Sequence, residues 1–185
     1  MKIFKPHKTE ERTLELFLGL PLETAKALSV KSVAFLGLLT IATVAPLLVQ
    51  SQAITGPLIN ATLFIATAFL GIEAAIMIGL IPSVIALSFG LLPAILAPMI
   101  PFIMISNALL VIVFGLVQKK NYWLGVISAS LLKFIFLFST SSIVIALLTK
   151  KEIATKVAGI MSWSQLVTAL AGGTIAWLVI RTIKK

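Results

Sequence analysis

The feature that most constrains this chain is a series of long apolar stretches with almost no charged residue. A transmembrane helix needs about 20 apolar residues, with roughly 17 to 25 observed. By this criterion the chain contains six candidates, which are Val30–Val49, Gly56–Leu70, Ala74–Leu91, Ile103–Val117, Trp123–Leu148 and Val157–Ile180. A soluble domain of 185 residues could not bury a composition that is 59% hydrophobic. The sequence predicts an all-α integral membrane protein with six transmembrane helices.

The organisation along the chain follows from where the charges and prolines lie. Residues 1–29 mix acidic, basic and apolar residues and predict a cytoplasmic or membrane-surface tail, whereas residues 30–185 form the six-helix transmembrane domain. Pro57 is expected at the start of the second helix, where a missing N–H is tolerated. Pro93, Pro98 and Pro101 predict a structured loop or short re-entrant piece before the fourth helix, because proline disrupts helix interiors.

The basic residues indicate an orientation. They are concentrated in the N-terminal tail, at Lys119 and Lys120, and at the C-terminus. With six helices these three regions share one side, which the positive-inside rule assigns to the cytoplasm, so both termini are predicted to be cytoplasmic. Residues 149–156 contain three lysines, lie on the other side and disagree with this assignment.

Several function classes are disfavoured by residues that the chain lacks. It has no cysteine, and its one histidine, His7, lies in the polar tail. The sequence therefore has no ligands for a thiolate metal site or a cysteine-bound cluster, and no histidine in the apolar stretches to act as the base of a Ser-His-Asp triad. It also has no Gly-rich phosphate loop. We expect no catalytic or metal site, no enzyme activity and no cofactor in this chain. The net charge is +9, and the basic residues flank the apolar segments. This position favours contact with lipid head groups over binding of nucleic acid.

Five residues within the apolar stretches are candidates for substrate binding, because polar side chains in a bilayer need compensating partners. They are Asn60, Asn107, Lys133, Trp163 and Gln165. At ~1.5 Å per residue, Asn60 is expected about 6 Å below the outer end of the second helix. Asn107, Trp163 and Gln165 are expected in the same layer, with Lys133 below them near the midplane and able to extend its long stem toward them.

Each of these residues also has a purely structural interpretation. A single amide often joins helices, and a tryptophan often anchors at the membrane interface. The charge of Lys133 must be compensated by an anionic ligand or by backbone carbonyls, or removed by loss of the proton. Glu73 could reach Lys133 only if a helix is displaced. A void beside Asn60 and Asn107 would favour ligand binding, whereas direct bonds across packed helices would favour a structural role.

The third helix carries small residues four positions apart, at Ala75, Gly79 and Ser83. This spacing places them on one face and predicts close packing against another helix.

A known family shares several of these motifs. Gly56-Pro57, Asn60-Ala61, the Pro-rich segment, Asn107-Ala108 and "SASLLKFIFLF" around Lys133 resemble substrate-binding S components of energy-coupling factor (ECF) transporters. The resemblance implies a prokaryotic plasma-membrane protein with six helices that binds a vitamin or similar micronutrient near the outer face. It also implies a transmembrane coupling subunit and two ATPase subunits as partners, with ATP used by those partners.

By the same resemblance, the segment from Gln50 through Gln52 to Thr55 would be a gating loop, and Pro98 and Pro101 would belong to a lid. Two other classes compete with an S component. One is a non-catalytic structural subunit of a membrane complex; the other is a membrane enzyme or redox subunit, which the lack of Cys and of intramembrane His and acids disfavours. The ligand is not specified, although Lys133 suggests an anionic group and Trp163 a flat ring.

Overall fold

A computed structural model describes Gly19 and residues 21–49, 51–88, 99–147 and 163–183. The regular structure of these residues is entirely α-helical, in six helices. They are α1 (Leu22–Leu48), α2 (Gln52–Phe69), α3 (Ile72–Ser88), α4 (Ile100–Val117), α5 (Tyr122–Leu147) and α6 (Trp163–Ile183). By length and composition, α1, α4, α5 and α6 can cross a membrane, and α2 and α3 are shorter apolar helices. The fold is therefore an all-helical one that suits a membrane protein.

The centre of the bundle is α2, which packs against α1, α3, α4 and α6. Its residues from Asn60 to Phe64 are all buried, so every face of the helix is covered over this stretch. By contrast α1 lies at the periphery, and Ala42 is the one buried residue among its described side chains. The site described below is built around the central helix.

The directions of the helices follow from their contacts. Gly56 lies against Thr168 and Gly172 lies against Asn60, so α6 runs parallel to α2. Trp123 contacts Trp177 and Phe134 stacks on Trp163, so α5 runs antiparallel to α6.

These directions place several basic residues together. Lys119 and Lys120 in the α4–α5 turn share one end of the bundle with Arg181, whose guanidinium lies 5.1 Å from the Trp177 ring. We call this the basic end. At the opposite end, the described first turns of α2, α4 and α6 carry no charged residue.

The α2–α6 pair depends on a close approach at Gly172. A Cβ atom there would lie 2.7 Å from the Cβ of Asn60 and from the carbonyl oxygen of Pro57. Small residues let membrane helices bring their backbones together and gain van der Waals contact. The α6 backbone therefore rests directly on the α2 backbone.

Near the basic end, three aromatic rings join α2, α4 and α5. Phe64 meets Phe114 edge to face with centroids 4.7 Å apart, and Phe114 meets Tyr122 in the same way at 5.4 Å. Such edge-to-face geometry is favoured by the ring quadrupoles. The Tyr122 hydroxyl donates a 2.7 Å hydrogen bond to the carbonyl oxygen of Gly173, which links this stack to α6.

The first helix begins earlier than the hydropathy predicts. It starts at Leu22, so residues 22–29 are helical, whereas the predicted tail included them. The N–H of Ala25 bonds the carbonyl oxygen of Pro21, and Lys26 pairs with Glu23 on the exposed side at 3.2 Å. Polar residues at this spacing support a helix that continues beyond its apolar part. Residues 1–18 lie outside the described part.

The predicted gating loop is mostly helix, which corrects that expectation. Gln52 is the first residue of α2, and the N–H and hydroxyl of Thr55 both donate to the carbonyl oxygen of Ser51. Pro57 lies inside the helix and not at its start. It is tolerated there because its missing N–H removes only one backbone hydrogen bond close to the N-terminus. Val49 and Ser51 are the described residues between α1 and α2, and Gln50 lies outside the described part of the chain.

The predicted lid is corrected at its end. Pro101 is the second residue of α4 and not a loop residue. Proline is favoured in a first turn because its fixed φ suits the helix and no N–H is needed there. Pro98 lies outside the described residues. For α6, the described helix begins at Trp163, six positions after the predicted Val157.

Candidate functional site

The most distinctive site in the described structure is a buried lysine between two asparagines. The Nζ of Lys133 donates a 2.7 Å hydrogen bond to Oδ1 of Asn60 and another of 2.7 Å to Oδ1 of Asn107. The three side chains come from α5, α2 and α4, and their exposed fractions are 4%, 2% and 5%. We call Lys133, Asn60, Asn107 and the carbonyl of Gly79 the lysine–asparagine cluster.

The cluster lies halfway along its helices. Asn60 follows the first residue of α2 by eight positions, which is about 12 Å at ~1.5 Å per residue. Asn107 is likewise near the middle of α4. The predicted position of both amides close to the helix starts is wrong, because α2 and α4 begin earlier than predicted. The prediction that the Lys133 stem extends toward these amides is confirmed.

The orientation of Asn107 is fixed by a second hydrogen bond. Its Nδ2 donates to the carbonyl oxygen of Gly79 in α3 at 3.2 Å, so its Oδ1 is turned toward Lys133. Gly79 allows this approach, because a Cβ there would lie 3.3 Å from the Cβ of Asn107 and from a methyl carbon of Leu63. Ala75, one turn before it, is fully buried, and Ser83 is half-buried. Ala75 and Gly79 thus belong to a packed face of α3.

Asn60 is positioned by the contact between α2 and α6. Gly172 packs against its Cβ, so no side chain from α6 separates the two backbones at this level. Thr62 bonds the carbonyl oxygen of Leu58 within α2, as expected for a threonine in an apolar helix. The rigid α2–α6 pair therefore holds the amide of Asn60 facing α4 and α5.

The electrostatic balance of the cluster is unusual. An ammonium carries one positive charge and three N–H donors, and both acceptors found here are neutral amides. Glu73 is exposed at the start of α3, and the described ion pair of the chain joins Lys26 and Glu23. Lys133 therefore has no acidic neighbour among the described residues. Side-chain amide oxygens are partners that the sequence analysis did not consider for this lysine.

A buried serine that the sequence analysis missed lies one turn from the lysine. Ser130 is fully buried, and its Oγ has no hydrogen-bond partner within the described part of the chain. Buried hydroxyls in apolar helices usually bond a carbonyl one turn earlier, as Ser141 does with Phe138. The spacing of Ser130 and Lys133 signalled a shared face, but serine is too common in membrane helices for spacing alone to single it out.

Trp163 and Gln165 do not lie at the level of Asn60 in the bundle. Gln165 precedes Gly172, the α6 neighbour of Asn60, by seven positions, or about 10 Å along the helix. Trp163 is 67% exposed and stacks on Phe134 with centroids 5.1 Å apart. The predicted single layer is therefore wrong for these two residues, because seven or more positions of α6 separate them from Gly172, which lies at the level of Asn60.

The cluster can do two things chemically. Its ammonium can bind an anionic group, or its hydrogen bonds can simply hold four helices together. Among the described residues, no group of His, Asp or Glu could hold a metal ion. Comparison with protein-family models, with curated proteins and with solved structures gives no match, so the site itself is the basis for a functional conclusion.

Proposed function

We propose that this chain is the substrate-binding membrane subunit of an ECF-type importer and binds a small micronutrient at the lysine–asparagine cluster. The observation that carries the proposal is the burial of Lys133 between two neutral amides with no acidic neighbour among the described residues. An ionisable residue inside a membrane bundle is costly and typically marks a substrate pathway. A structural role alone would be filled as well by an uncharged side chain.

The proposed topology has six spans, with the basic end facing the cytoplasm of a prokaryotic cell. Lys119, Lys120 and Arg181 lie at that end, and the described part of the opposite end carries no charge. This distribution of the described residues suits the positive-inside rule, which residues 149–156 with their three lysines contradict, and the solute would enter from the end opposite the basic end. A transmembrane coupling subunit and two ATPase subunits would drive uptake, and this chain would catalyse no reaction itself.

A second candidate is a non-catalytic structural subunit of a membrane complex. One observation favours it: Asn107 bonds directly to the Gly79 carbonyl across packed helices, and all three side chains of the cluster are buried. Interhelical hydrogen bonds in membranes contribute about 1 kcal/mol each. In this case the cluster is complete without a ligand.

The two candidates are distinguished by what the purified protein carries. Wild type and two variants, Lys133→Met and Lys120→Met, are purified and denatured, and the released small molecules are identified by mass spectrometry. Lys133→Met removes the buried charge and keeps an unbranched side chain, while Lys120 is an exposed control at the basic end. We expect one compound in wild type and Lys120→Met that is missing from Lys133→Met. An empty wild type would contradict a binding subunit and favour the structural candidate.

A further inference from the structure

The ammonium of Lys133 has donor capacity that the described structure does not use. It carries three N–H groups, and the two acceptors found for it are the amide oxygens of Asn60 and Asn107. Both acceptors are neutral, so they satisfy hydrogen bonds without balancing the charge. A bound group that completes this environment would have to accept a hydrogen bond and carry negative charge.

Ser130 supplies a second donor of the same kind. Its hydroxyl is fully buried and has no partner in the described part of the chain, whereas leaving a buried polar atom unpaired is unfavourable. It precedes Lys133 by three residues in α5, which places the two on the same helix face. A long helical side chain leans toward the turn before its own Cα, which is the turn that contains Ser130.

We propose that Ser130 and Lys133 together bind the carboxylate of the solute, an inference that rests on the proposed function and assigns its substrate class. The ammonium provides one charge-assisted hydrogen bond and the serine hydroxyl provides another. The amide oxygens of Asn60 and Asn107 accept from the ammonium and hold it in place, and the Nδ2 of Asn107 already donates to the Gly79 carbonyl.

The charge of the site selects a carboxylate over a phosphate monoester. A phosphate monoester carries about −1.5 to −2 charges at neutral pH, and a carboxylate carries one. Lys133 is the buried cation among the described residues, and Lys119, Lys120 and Arg181 are exposed at the basic end. One ammonium neutralises one carboxylate, so a phosphate would leave excess negative charge inside the bundle.

The test compares acids with their primary amides, which have nearly the same shape but no charge. The probes are benzoate and benzamide, cinnamate and cinnamamide, and indole-3-acetate and indole-3-acetamide, titrated against the thermal unfolding of the purified protein in detergent. We expect at least one acid to raise the unfolding temperature of wild type while its amide does not. Equal stabilisation by acid and amide would overturn the proposal, and so would stabilisation by no acid together with release of no carboxylic acid from wild type.

Variants of two buried serines in α5 identify the second donor. Ser130→Ala should bind the acid about tenfold more weakly, as expected for losing a hydrogen bond to a charged group. Its fold should be unaffected, since the Oγ has no partner in the described structure to lose. Ser141→Ala is the matched control, because Ser141 is buried but already bonds Phe138, and it should bind as wild type does. Unchanged binding by Ser130→Ala would overturn its assignment.

This inference and the proposed function fail in different ways. If the compound released from wild type is neutral or cationic and disappears in Lys133→Met, the chain is a binding subunit but the carboxylate assignment is wrong. If wild type releases no compound and no probe acid stabilises it, both are wrong. A released carboxylic acid that is lost in Lys133→Met and reduced in Ser130→Ala supports both.

Discussion

Asn60 and Asn107 make the same hydrogen bond to Lys133, yet their surroundings predict opposite responses to aspartate. In Asn60→Asp, a carboxylate oxygen would replace the amide oxygen that lies 2.7 Å from Nζ and would give the ammonium a counter-ion. In Asn107→Asp, the Nδ2 donor is also lost, and a carboxylate oxygen would face the Gly79 carbonyl 3.2 Å away.

We therefore expect Asn60→Asp to unfold at or above the wild-type temperature. Asn107→Asp should be less stable by about 1–3 kcal/mol, the usual cost of leaving a buried polar group without its partner. Thermal unfolding of the purified variants in one detergent measures the difference. Equal destabilisation by both aspartates would show that the two amides are not oriented as described.

At this scale, the sequence predicted which polar residues matter better than it predicted where they lie. Asn60, Asn107 and Lys133 stand out because they interrupt apolar stretches, and the structure brings all three together. Trp163 and Gln165 stand out for the same reason but lie in the first described turn of α6, where Trp163 stacks on Phe134 and neither residue is at the level of Asn60. Polarity indicates a need for a partner, and only the register between helices decides which partner is in reach.

Among the helices, the contact between α2 and α6 is the one most sensitive to a single methyl group. Gly172→Ala would place a Cβ 2.7 Å from the Pro57 carbonyl oxygen and 2.8 Å from the Ala61 nitrogen, both of which are backbone atoms. Neither can move without shifting a helix, so we expect a loss of about 1–3 kcal/mol from overpacking. Gly37→Ala in α1 is the control, because its Cβ would have no neighbour within 4 Å.

The Gly37 control should be neutral or slightly stabilising, since alanine is favoured over glycine in helices by roughly 0.5–1 kcal/mol. Thermal unfolding of both variants checks this pair. A Gly172→Ala variant as stable as Gly37→Ala would mean that α6 does not rest on the α2 backbone.

The sequence predicted which stretches form helices more accurately than it predicted the residues at which the helices begin and end. All six apolar stretches contain a described helix, because apolar length is a direct signal. The starts of α1, α2 and α4 were placed too late, since the prediction stopped at charges or prolines. Pro57 and Pro101 are tolerated near helix N-termini, where few backbone N–H groups have intrahelical acceptors.

At the scale of the whole molecule, the orientation in the membrane can be read with single cysteines, because the natural chain has none. Ile54 is 58% exposed at the end opposite the basic end, and Lys120 is exposed at the basic end. We expect a membrane-impermeant maleimide to label Ile54→Cys on intact cells and to label Lys120→Cys only after permeabilisation. Wild type, which cannot react, is the control, and the reverse labelling pattern would contradict the proposed topology.

In the proposed function, the lysine–asparagine cluster is a charged site that a solute completes. Asn60→Asp supplies an internal carboxylate in place of that solute, so it should keep the fold and lose the ligand. The most direct measurement is the amount of small molecule released per chain from purified wild type and from Asn60→Asp. We predict an equimolar amount from wild type and none from the folded variant. Equal amounts from both proteins, or none from wild type, would contradict the central claim that Lys133 binds a solute.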